Sequence, residues 1–260
     1  GLMNFVNLAH GAFAMVGGYV TVLAMSKLGL PFLACLPLAF LVAALLGAVL
    51  EPTLYRRLYG KSHFDQVLFS IGLVFMAVAA VDYAMGSTQQ NIRLPEWLRG
   101  RTEIGGVGMG HYRLLIIAVC AALAVGLQLI LSKTRFGSRL RAAVDDTRVA
   151  SGLGINVNRV FLSTFAFGSG IAGLGGALGA ELFGLDPTFP LKFMIYFLIV
   201  VAVGGTTTIT GPLLASLLLG VADVAGKYYF PKMGAFIVYT LMIVILLWRP
   251  QGLFSRGAGK

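Results

Sequence analysis

Two apolar stretches and one polar segment carry residues whose types and spacing have chemical consequences. In FVNLAHGAF, the side chains of Asn4, Asn7 and His10 interrupt an otherwise apolar run. Polar groups at membrane depth are costly and face a protein interior or a water-filled path. They can contact a passing solute there, or hydrogen-bond between packed helices. Gly11, Gly17 and Gly18 follow, as in a broken or re-entrant helix whose freed backbone groups need partners. A second interruption, VGGTTTITGP, places Gly204, Gly205 and Thr206 in a Thr-rich break of another apolar run. Paired Gly-interrupted segments are a pointer to a substrate site in transporters. The third feature is the polar segment SKTRFGSRLRAAVDDTRVASGLGINVNR, from Ser132 to Arg159.

Residues for covalent chemistry are not grouped in this sequence. No G-x-x-x-x-G-K-[ST] phosphate loop occurs, so the chain is not expected to hydrolyse ATP itself. No Cys/His cluster has metal spacing, and no Ser lies in a nucleophile-elbow context. Neither a metal nor a cofactor is implied.

The elements that must position these residues are membrane spans. Hydrophobic residues make up 58% of the chain and charged residues 12%, against about 45–50% and 25% in soluble domains. Eight apolar runs stand out, at about 8–26, 32–51, 67–86, 114–132, 160–180, 191–204, 211–226 and 234–248. The expected fold is an all-α polytopic membrane protein, one transmembrane domain over residues 1–260 with broken helices. The formal charge of +10 lies in short loops, which fits the positive-inside rule better than nucleic-acid binding. Placing loops 52–66, 133–159, 205–210 and the C-terminal tail on one side puts twelve Lys and Arg there and eight opposite. The 133–159 loop and the C-terminus are therefore expected in the cytoplasm, and the 87–113 loop outside.

Within the polar segment, Leu140, Ala143, Val144 and Thr147 recur as one stripe of a short amphipathic helix. Arg141, Asp145 and Arg148 lie on another side, at spacings where opposite charges meet. Gly152 and Gly154 supply a stop. Such a helix is suited to lie on the membrane face and dock into another protein, or simply to be a solvated loop. The 87–113 loop, with its Gly-Gly step, predicts a short hairpin. Small residues at 168, 172, 175, 176 and 179 predict a face for close helix approach. Glu51, Asp82 and Asp223 stand near span ends, where they can snorkel to water. Cys35 and Cys120 read as packed thiols.

NLAHGAFAMVGGY, TRFGSRLRAAVDDTRVASGLGINVNRV, VGGTTTITGPLLASLLLGVAD and WRPQGLF occur in this order. Together they resemble the permease subunits of bacterial ABC importers for branched-chain amino acids, of the high-affinity leucine/isoleucine/valine type. Urea and short-chain amide permeases share the pattern. Where the family often shows GG-x-GS-x-x-GA, this chain has GGTTTITGP. The family carries one more apolar helix before NLAHG, so an upstream helix is expected to be missing from this sequence.

The resemblance implies a multi-pass protein of the bacterial inner membrane. Its implied partners are a second, related permease, two cytoplasmic ATPase subunits and an external substrate-binding protein. It also implies that 133–159 is the segment coupled to the ATPase, through Arg139, Ala142, Ala143, Asp145, Asp146, Gly152, Gly154 and Ile155. Asn7, His10, Gly204, Gly205 and Thr206 are the candidates for the translocation path. A stand-alone channel or ion-coupled transporter built around His10 and an acidic residue is one alternative, and a scaffold with no conduction path is another.

Overall fold

The computed structural model describes residues 7–205, 210–249 and 252–253. A helix stands at each of the eight apolar runs: α1 (His10–Leu28), α2 (Phe32–Thr53), α3 (His63–Met85), α5 (His111–Lys133), α8 (Val157–Phe183), α9 (Phe189–Gly204), α10 (Thr210–Tyr229) and α11 (Gly234–Trp248). Among the described residues, α1, α2, α3, α5 and α8 are long and apolar enough to cross a membrane. The apolar helices Phe189–Gly204 and Phe236–Trp248 are shorter. Three short helices lie between the long ones: α4 (Glu96–Arg99), α6 (Arg135–Asp145) and α7 (Thr147–Gly152). The predicted hairpin is present, with β1 (Arg101–Ile104) pairing antiparallel with β2 (Val107–Gly110). Gly105 and Gly106 join the strands with φ of 61° and 80°, the left-handed values that a tight two-residue hairpin turn requires.

The chain divides into two compact units, 7–192 and 193 onwards, with the division inside α9. In the first, α8 packs along both α2 and α1, which also touch each other. Missing side chains make this possible. A Cβ at Gly17 would overlap the backbone of Gly173, and one at Gly176 would overlap the backbone of Ala14. Gly173 is wedged between α1 and the Ala39–Ala43 face of α2. The packed face of α8 is therefore Ser169, Gly170, Gly173, Gly176, Ala177 and Ala180. Of the small residues expected there, only Gly176 lies on it, whereas Gly168 and Gly175 face open space. The run holds so many small residues that spacing alone fits more than one stripe. In the second unit, Ile199, Val203, Ala215, Leu219, Val238 and Ile245 form the core.

Two further expectations are corrected. Glu51 does not snorkel; it is fully buried. Cys120 is exposed on α5, while Cys35 is buried as expected.

Candidate functional site

The polar segment folds as two helices, α6 and α7, not as one. Residue Asp146 is extended, at φ −149° and ψ 103°, and its Oδ1 accepts from the backbone N–H of Arg148 and Val149 at 2.8 and 3.0 Å. An Asp that caps a new helix ends the old one, and this competes with helix continuation at that position. Thr134 caps α6, accepting from Gly137 N–H at 3.3 Å. Gly137 itself abuts the Leu131 carbonyl, which leaves no room for a side chain at the turn out of α5. Arg141 donates to that same carbonyl. Asn156 caps α8 through Arg159 N–H at 3.0 Å. The segment is thus pinned at both ends by short polar contacts.

Three members of the expected stripe, Leu140, Ala143 and Val144, face inward, whereas Thr147 is exposed beyond the break at Asp146. Leu140 and Ala143 are buried with Ala150, Val157 and Val160, and Val144, Ile155 and Phe161 pack against them. The expected residues therefore separate by role. Ala143 and Ile155 hold the segment to α8, Asp146 caps α7, and Gly154 makes a left-handed turn at φ 82°. Arg139, Asp145 and Gly152 are exposed, and Ala142 is half-buried. No ion pair joins Arg141, Asp145 and Arg148 among the described residues: Arg141 turns to the Leu131 carbonyl, and the break at Asp146 separates Asp145 from Arg148. Two residues outside the expected set dominate the outer face, Val149 (58% exposed) and Leu153 (76%). Their i, i+4 spacing is visible in the sequence, but only the burial of Ala150 shows which face of α7 is outside.

Beside this segment lies a cluster that sequence reasoning did not assemble. After α2 the chain makes a short 3-10 turn, Tyr55–Leu58. Arg56 Nε and Nη2 donate to the two carboxylate oxygens of Glu51 at 3.2 and 2.6 Å. The Tyr59 hydroxyl donates to Glu51 Oε1 at 3.1 Å. Glu51 is fully buried and Arg56 about one-third exposed, at 35%, so the two-pronged pair and the phenol together compensate the buried charge. The hydrogen bond to Glu51 holds the Arg56 pKa above its ordinary value. Burial, and then the Glu51 charge, push the Tyr59 phenol up, so it stays protonated and donating across the neutral range. Arg56 and Tyr59 line an open cleft of about 560 Å³ whose far wall is Thr147, Ser151, Asn156 and Asn158. The turn and the polar segment thus meet at one face of the unit.

The Asn7–His10 residues reach the same face. Asn7 Oδ1 accepts from Ala9 N–H at 2.9 Å and from the Tyr55 hydroxyl at 3.2 Å, while Asn7 Nδ2 donates to His10 Nδ1 at 2.9 Å. Tyr55 is fully buried. Its ring lies 5.4 Å from that of Phe69 and 4.4 Å from that of Phe165. Asn7 and His10 therefore stand at the start of α1, beside the turn that follows α2. Asn4 and Thr206 lie outside the described residues.

The second break belongs to the other unit. There α9 ends at Gly204, and Gly205 follows with φ 83°. A Cβ at Gly204 would meet the backbone of Gly211 and Pro212 at 2.5–2.6 Å, so the glycine lets α9 and α10 close on each other. A broken helix leaves carbonyls without intrahelical donors. Leu253 N–H donates to Val203 O at 2.8 Å, and Arg249 Nη1 donates to Leu253 O at 2.8 Å. The terminal motif thus seals the break. Of the expected anchors, Asp82 is exposed and accepts from Ser87, whereas Asp223 pairs with Lys227 at 2.6 Å and keeps its other oxygen buried without a hydrogen-bond partner among the described residues.

Comparison with known proteins gives one consistent result. A family model described as branched-chain amino acid transport system, permease component, matches residues 1–246. The chain is 29% identical to the high-affinity branched-chain amino acid transport system permease protein BraD of Pseudomonas aeruginosa, over 98% of this chain and 88% of that protein. It is 26% identical to LivH of Salmonella typhimurium, over 98% and 87%. It is 27% identical to LivM of the same organism, over 97% of this chain and 64% of that protein. Both are high-affinity branched-chain amino acid transport system permease proteins. No solved structure matches.

Proposed function

The chain belongs to the family of branched-chain amino acid transport permease components, and from that premise we propose that it is a membrane-spanning subunit of an ATP-driven importer for branched-chain amino acids. Permease relatives with two different names suggest pairing with a second, related permease. ATP is hydrolysed on two separate cytoplasmic subunits, and an external binding protein delivers the amino acid. The 133–159 segment and the C-terminus lie in the cytoplasm, and the 87–113 loop lies outside.

The observation that carries the coupling role is the outer face of α7. Val149 of α7 and Leu153 at its C-cap expose apolar side chains four residues apart, and Arg139, Asp145 and Arg148 of the same segment are also exposed. An apolar centre with a charged rim is the anatomy of a protein interface. Ala142, Ala143, Asp146, Gly152, Gly154 and Ile155 shape and brace this face; Arg139 and Asp145 orient the ATPase on it. Asn7, His10, Gly204, Gly205 and Thr206 contribute to the path.

The test is ATP-driven leucine uptake by the assembled importer in proteoliposomes. Asp145→Arg and Leu153→Glu are expected to leave the chain in the membrane; Leu153→Glu lowers uptake about tenfold, the effect of losing a central interface residue, and Asp145→Arg, a reversed rim charge, lowers it less. Parental uptake by both variants would rule out this face as the docking site.

A further inference from the structure

The polar segment and the Asn7–His10 end of α1 are far apart in sequence and carry different parts of the proposed transport cycle. The structure connects them through one turn. From the buried cluster of Leu140, Ala143, Ala150, Val157 and Val160, the packing passes to Phe161. The ring of Tyr59 meets Phe161 edge-on, 5.5 Å away. Tyr59 and Arg56 both hold Glu51 at the end of α2. One residue before Arg56, Tyr55 donates to Asn7. Tyr55 also touches Phe165, whose ring lies 5.9 Å from Phe13 of α1. Every step is a direct contact inside one compact unit.

We propose that the turn from Glu51 to Tyr59 is a positioning element that ties the 133–159 segment to Asn7 and His10, so that displacement of one displaces the other. This rests on the reading of that segment as the ATPase-docking element. Two features suit the turn to the task. The two-pronged Glu51–Arg56 pair fixes the guanidinium in one orientation, so the turn moves with α2 as a rigid piece. Tyr55 and Tyr59, four residues apart, point from this rigid piece in different directions, one to the start of α1 and the other to the start of α8. Burial holds the Tyr55 phenol well above its ordinary pKa, so its hydrogen bond to Asn7 persists throughout the neutral range. The open cleft between the turn and Thr147, Ser151 and Asn156 leaves room for the two walls to shift.

The experiment measures leucine uptake and ATP hydrolysis together in the assembled importer. Tyr55→Phe keeps the ring between Phe69 and Phe165 and removes only the hydroxyl. Loss of one hydrogen bond to a retained partner predicts about a fivefold fall in leucine taken up per ATP hydrolysed, with assembly and hydrolysis at parental levels. Tyr59→Phe is expected to act in the same direction. In a double-mutant cycle, Tyr55→Phe combined with Asn7→Ala should be no worse than the more severe single variant. A purely structural role would lower uptake, hydrolysis and assembly together, and that result overturns the proposal. So does a parental uptake-to-ATP ratio in both tyrosine variants while Asp145→Arg uncouples; the docking reading then stands without the link. If Asp145→Arg and Leu153→Glu both leave the ratio intact, the docking reading fails and the link falls with it.

Discussion

Helices α1 and α5 are both membrane spans, and they are built on opposite plans. In its most apolar 18-residue stretch, α1 has 61% of its residues buried within the protein, and α5 has none. Yet α5 is the more hydrophobic of the two. In a soluble protein the more apolar helix lies inside. Here the surrounding lipid is as apolar as leucine, so hydrophobicity gives no reason to leave it for the protein interior. Close packing and hydrogen bonding decide burial instead. Helix α1 carries Gly11, Gly17, Gly18, Thr21 and Tyr19, and α8 answers with Gly170, Gly173 and Gly176. In α5, Ile117, Val125 and Leu129 face outward.

The comparison is sharpest at its glycines. Gly176→Ala puts a Cβ into the backbone of Ala14, whereas Gly126→Ala in α5 enters open space. The first is expected to destabilise the protein by about 3 kcal/mol, as overpacking does at its severe end. The second is expected to be neutral or slightly stabilising, through helix propensity. Thermal unfolding of the two variants in detergent measures the difference; equal melting temperatures would break the contrast.

Next in size is polarity without a partner. Val125→Asp places a carboxylate on the lipid-facing side of α5 near its middle, at a cost of about 2.5–3.5 kcal/mol of insertion free energy. A glycosylation-mapped insertion assay reads this directly. Undiminished insertion would mean that α5 faces protein or water.

The smallest effect is expected where the packed side carries its own charge. Glu51→Gln keeps hydrogen-bonding atoms beside Tyr59 and Arg56 but removes the counter-charge. Arg56 is one-third exposed, at 35%, so water softens the loss, and about 2 kcal/mol is expected, below the range for a fully buried broken pair. A melting temperature unchanged from the parent would show that the pair contributes position and not stability.

These contrasts mark how much was legible beforehand. The eight apolar runs became eight helices because length and hydropathy answer directly to a bilayer. The Gly105–Gly106 hairpin was legible because two adjacent left-handed residues are a local demand. The polar segment was half legible. Its periodicity gave a helix, but Asp146 fits equally well as an internal surface residue and as a cap, and only its extended backbone decides. Ala143 has the spacing of an apolar stripe and, by resemblance, the role of a docking residue; it is buried against α8. The Glu51–Arg56–Tyr59 cluster lay within nine residues of sequence. What hid it was the 3-10 turn after α2, which brings Arg56 and Tyr59 back onto Glu51.

By itself the sequence determined an all-helical membrane protein, the placement of its spans and, through four ordered motifs, its family. Those properties follow from hydrophobicity and local backbone preference, which each residue carries wherever it lies. The tertiary structure decided which small residues of α8 form the packed face, which side of the polar segment is open, and that Asn7 meets Tyr55. These depend on contacts between residues distant in the chain, where several stripes or partners satisfy the local pattern and only the geometry of neighbouring helices selects one.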